Sequence, residues 1–103
     1  MEERLPNVHP GDILRDELRE RQITPYRLAK ELHITQAAIG QILAGKRSVT
    51  PGVALRLARF FGTTPELWLN LQAAYDLEEA ARRLEPELAR IRPAEAVLSG
   101  PAQ

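Results

Sequence analysis

The chain has 103 residues, 44% of them hydrophobic, and no cysteine, which allows one modest core in a single domain and excludes a disulfide framework or a thiolate zinc site. No apolar run approaches the ~18 residues of a membrane span, and the opening MEERLPNVHPGD lacks a signal-peptide core, so a soluble, cytoplasmic protein without a membrane partner is expected. The formal net charge is 0, yet residues 23–62 carry six cations (Arg27, Lys30, Lys46, Arg47, Arg56, Arg59) against the one acid Glu31, while residues 1–22 stand at −2 and residues 63–103 at −3; a basic middle of this kind can turn one positive face toward phosphates.

Pro, Gly and Thr punctuate the chain into short helical pieces. The first is expected from about Pro10 to Gln22, with Ile13, Leu14 and Leu18 inward. Thr24-Pro25 then reads as an N-cap followed by proline at the first helical position. The second helix covers Pro25–Leu32, with Leu28, Ala29 and Leu32 on one side, and breaks at His33-Ile34. Thr35 caps a third helix over Gln36–Ala44, with Ile39, Ile42 and Leu43 inward, and Gly45 ends it in the left-handed region. Thr50-Pro51 opens a fourth helix that Gly62 closes, with Val53, Ala54, Leu57, Ala58 and Phe61 inward. Thr64-Pro65 opens a fifth, running to about Leu84. Beyond Glu85, one or two more helical turns are expected near Pro86–Ile91, and a frayed end from Pro93. The expected architecture is all-α: a five-helix domain over residues 1–84 and a partly disordered extension over 85–103.

The informative stretch is TPYRLAKELHITQAAIGQILAGKRSVTP, residues 24–51: two short helices joined by a tight break. Ala29 falls where they must cross, and a larger side chain there would push them apart. Leu28 and Leu32 can pack beneath the turn, Ile34 can plug it, and Ile39 and Ile42 hold the second helix on the first. The start of the third helix is left facing outward, and such a helix end fits the major groove of duplex DNA, about 12 Å wide.

This stretch resembles the helix-turn-helix of the lambda-repressor-like, or Xre, regulators. With HPGDILRDEL before it and GKRSVTPGVALRLARFFGTTPELWLNLQAAYDL after it, the chain resembles the HigA family of antitoxins, relatives of which are called virulence-associated protein I. The resemblance spans roughly residues 8–79, and GTTPELWLNLQAAYDL is its most specific run. It implies a type II toxin–antitoxin module: a repressor of its own operon, operator DNA as one partner, and as the other a HigB-type toxin, a small ribosome-dependent mRNA endonuclease. A stand-alone Xre-family regulator without a toxin is the alternative. One departure is His33, where many members carry glycine; histidine tolerates positive φ at a cost of ~1 kcal/mol.

The resemblance puts a base-reading residue at Gln36, and glutamine can pair in bidentate fashion with adenine N6 and N7. Gln41 lies near the same face, and Ala37 or Ala38 is short enough to touch a thymine methyl. Phosphate contacts are expected from Thr24 and Thr35 at the helix starts, from Tyr26 and Arg27 at the start of the second helix, and from Lys46, Arg47 and Ser48 after the third. For the glutamines and for Lys46-Arg47 the alternative is an ordinary solvated position. Arg56 and Arg59 fit either phosphate or an ion pair with the acidic outer segments.

Too few bases are within reach of one copy for useful specificity, so a homodimer on two half-sites is expected. On the fifth helix Leu67, Leu71, Ala74, Ala81 and Leu84 form the expected core stripe. Trp68, Leu69 and Tyr75 then lie off it as a dimer surface, unless Trp68 completes the monomer core against Phe60 or Phe61. No catalytic residue, metal site or cofactor is expected. The histidines are His9 and His33 alone, and the carboxylate row Asp12, Asp16, Glu20 interleaves with Arg15 and Arg19 as a solvated helix face would.

Overall fold

The computed structural model describes residues 6–99 and holds six helices there with no strand. They are α1 (Pro10–Arg21), α2 (Pro25–Leu32), α3 (Gln36–Leu43), α4 (Pro51–Phe61), α5 (Pro65–Ala89) and α6 (Ala94–Leu98). All three Thr-Pro starts are made as expected. Thr24, Thr50 and Thr64 accept from the N–H groups of Arg27, Val53 and Leu67 at 3.1, 3.4 and 3.2 Å, each filling one of the donors a helix start leaves open. At α1 the cap is His9, whose Nδ1 accepts from Gly11 N–H at 2.9 Å while Asp12 accepts from the His9 N–H at 3.2 Å.

Three helices end alike. Gln22, His33 and Gly62 take left-handed φ values of 57°, 58° and 74°. The residue after each then donates back into the last turn: Ile23 to Leu18, Ile34 to Ala29 and Thr63 to Ala58, at 2.9, 3.1 and 3.1 Å. Ile23 and Ile34 thereby fold back onto the core.

The core holds Leu14, Leu18, Leu28, Leu32, Ile39, Ile42, Ala54, Leu57 and Trp68, with Ala29 of α2 buried among them. α3 packs on α1 and α2, and α5 packs on α4 and α1. The fifth helix departs from expectation in two ways. Its inward stripe runs through Trp68 and Gln72, 2% and 5% exposed, whereas Leu67 is 42% exposed. Trp68 is therefore a core residue: its ring lies 5.9 Å from that of Phe61, and its indole N–H donates to Thr63 Oγ1 at 3.0 Å. A Trp can sit fully inside only when that N–H has a partner. The helix also continues past Leu84 to Ala89, with Pro86 inside it, so the turns expected as a separate piece are its last ones. Residues 83–99 are exposed at every position; Ala94–Leu98 form the short helix α6 within them, and the rest of the end expected to fray, residues 100–103, lies outside the described residues.

Candidate nucleic-acid interface

α3 has two unlike faces. Ala38, Ile39, Ile42 and Leu43 are buried, and Gln36, Ala37, Gly40 and Gln41 are exposed. The inward face is fixed from below by α1. Gly11 sits directly against the backbone of Ile42, and the Arg15 guanidinium donates to the carbonyl of Leu43, placing a cation at the negative end of α3. Thr35 Oγ1 accepts from the Ala38 N–H at 3.0 Å. Its hydroxyl proton remains to be given to another acceptor, as does that of Thr24.

The other expected polar groups are exposed as well. Tyr26 is 55% exposed, and Arg27, Lys30, Lys46, Arg47 and Ser48 are all exposed. Arg27 Nε donates to Glu31 Oε2 at 2.6 Å, an exposed pair on one turn of α2; such pairs are weak and yield to a stronger anion. Among the described residues neither Arg56 nor Arg59 pairs with an acid; both line an open groove between α2 and α4 with Glu31, His33 and Leu55. The Asp16–Arg19 pair at 3.6 Å is exposed, in keeping with a solvated face of α1. Among the described residues no group of His, Cys, Asp and Glu could hold a metal ion, and no helix is long and apolar enough to cross a membrane.

The helix-turn-helix family model matches residues 14–68. Virulence-associated protein I of Dichelobacter nodosus is 44% identical over 77 residues, which are 74% of this chain and 71% of that one. The solved structure of an addiction module antidote protein of the HigA family from Coxiella burnetii is 44% identical, with a TM-score of 0.82 over 86% of this chain and 99% of that one.

The chain belongs to the HigA family of helix-turn-helix proteins.

Its fold also superposes on Pseudomonas aeruginosa antitoxin HigA, solved with the higBA promoter, at a TM-score of 0.83 and 35% identity, covering 86% of this chain and 99% of that one. The resemblance read from the sequence thus holds at the level of family and of fold. Within this HigA-family chain, reasoning from sequence missed two buried polar side chains, those of His9 and Gln72. His9 is 5% exposed and meets the Tyr75 ring edge-on at 4.7 Å. Gln72 accepts from the Val49 N–H at 2.7 Å and donates to Asp76 at 2.9 Å. Neither long-range contact carried a signal, because Tyr75 lies far from His9 in the chain and Val49 far from Gln72. Trp68, at 2% exposure, offers no surface to a second copy. Leu69 packs in part on the core, and Tyr75 is half-buried against His9.

Proposed function

We propose that this chain is the antitoxin of a type II toxin–antitoxin module, which binds duplex operator DNA through α3, represses its own operon and neutralises a partner ribonuclease toxin of the HigB type. One observation supports the reading: Gln36, Ala37 and Gln41 of α3 are exposed, as are Arg27, Lys30, Lys46 and Arg47, in a chain whose family includes an antitoxin solved with the higBA promoter. In this reading Gln36 enters the major groove and pairs with an adenine edge, with Ala37 and Gln41 beside it. Thr24, Tyr26, Arg27, Thr35, Lys46, Arg47 and Ser48 meet phosphates on either side, which sets register without reading sequence.

A second copy supplies the other half-site. Its docking surface is the far part of α5, where Leu77, Leu84 and Leu88 are 72%, 38% and 48% exposed and recur, with Ala81, at alternating steps of four and three residues, the spacing of a helix-pairing seam. The toxin is held by direct contact, and the acidic segments 1–22 and 63–103 suit a basic ribonuclease. The protein acts in the cytoplasm.

Titration onto the duplex upstream of its own gene, against a scrambled duplex, tests this. Operator preference with a steep salt dependence is expected. No affinity for any duplex at low ionic strength would sink the reading. Co-purification with the product of a neighbouring toxin gene tests the second half, and operator binding without such a partner would leave a stand-alone regulator.

A further inference from the structure

Lys46, Arg47 and Ser48 sit on a short connection between α3 and α4, and both ends of that connection are held. At its start, the N–H groups of Gly45 and Lys46 donate to Ile42 and Gln41 at 3.0 and 2.8 Å, and Gly45, at φ 74°, faces the His9 ring, near enough that a Cβ there would touch it at 3.7 Å. At its end the Val49 side chain is buried and its N–H points into the core. A buried N–H needs an acceptor, and Gln72 Oε1 supplies it at 2.7 Å.

The Gln72 amide has two possible orientations, and only one presents oxygen to Val49. Asp76 selects it, because its carboxylate accepts from Nε2 at 2.9 Å and cannot accept from Oε1. His9 rests on Tyr75 of the same stretch of α5. Both ends of the basic loop are therefore referenced to one face of α5, although the loop lies more than twenty residues earlier in the chain.

We propose that Gln72, oriented by Asp76, is a positioning residue for DNA binding: it sets the loop so that Lys46, Arg47 and Ser48 reach the phosphates together. The proposal rests on the DNA-binding reading above. An aliphatic residue at 72 would fill the same space but leave Val49 unmatched and the loop end unpinned.

The test uses the full chain, a duplex operator and a scrambled duplex over a range of salt, together with amide exchange at Val49 in the free protein. Gln72→Leu and the milder Asp76→Ala, which lies at an exposed position, should each speed Val49 exchange by about tenfold. They should weaken binding to both duplexes alike and make the salt slope shallower by roughly 0.9 for each of Lys46 and Arg47 released. The double variant Gln72→Glu with Asp76→Asn keeps both hydrogen bonds, the second with its donor and acceptor exchanged. It buries a carboxylate and should melt earlier, yet recover the wild-type slope. If Gln72→Leu fails to fold, Asp76→Ala and the double variant decide. Faster exchange with an unchanged slope, or a folded double variant that does not recover the slope, would reduce Gln72 to a purely architectural role. A protected Val49 in a wild-type chain that binds no duplex would instead remove the DNA-binding reading, and this proposal with it.

Discussion

Gly11 of α1 faces Ile42 of α3 backbone to backbone: a Cβ at Gly11 would stand 2.0 Å from the Ile42 carbonyl oxygen and 2.9 Å from its carbon. Neither side of that contact is a flexible side chain, so the two helices would have to part. Gly11→Ala should cost about 1–3 kcal/mol of stability, read as a lower urea midpoint. An unchanged midpoint would mean that α1 can shift without loss.

Gly40 is the opposite case. A Cβ there meets nothing within 4 Å, and the residue is exposed in the middle of α3 between Gln36 and Gln41. Gly40→Ala should therefore stabilise the fold by about 1 kcal/mol. Gly40→Leu should fold normally and lose duplex affinity by at least ~10-fold, since its side chain would extend from the edge proposed to lodge in the groove. Full affinity in Gly40→Leu would place the bound DNA elsewhere.

Gln36→Ala should relax preference at one base pair by ~1–3 kcal/mol. Competition between operator and scrambled duplex reads this directly. An equal loss on both would deny Gln36 a base-reading role.

Lys46→Ala and Arg47→Ala should behave differently. Each should weaken binding to every duplex and flatten the salt dependence by roughly 0.9, leaving the operator-to-scrambled ratio in place. A slope equal to wild type would strike that residue from the phosphate contacts.

Gln22 and His33 hold left-handed φ values near those of Gly62. Side chains with a Cβ are strained there. Gln22→Gly and His33→Gly should each add about 0.5–1 kcal/mol, a rise of a few degrees in Tm. A fall would mean that the entropy glycine adds to the unfolded chain outweighs the relief.

The helix starts, the left-handed turn at His33 and the two faces of α3 were legible in the sequence because each is written locally: Thr before Pro, Gly after an apolar run, polar residues between Ile39 and Ile42. The register of α5 was not. A stripe chosen for aliphatic content runs through Leu67 and leaves Trp68 and Gln72 outside, because both carry polar atoms. They lie inside because partners reach them there: Thr63 for the indole, Val49 and Asp76 for the amide. Val49 is brought to Gln72 only by the packed fold, so no window of sequence holds that pair. α5 runs past the end expected near Leu84 and holds Pro86 inside it. A helix passes through proline with the loss of one backbone bond to the residue four back, here Arg82, and the Glu-Leu-Ala that follows favours helix.

The unsupported end of α5 also dictates where the molecule is first cut. From residue 83 to residue 99 no residue is buried, so peeling this stretch away sacrifices little of the core, and a protease can seat it without waiting for the core to open. Limited digestion should trim the chain back toward residue 82 and pause there, leaving the helix-turn-helix whole; whatever covers that tail in the assembled complex would lengthen the lifetime of the protein.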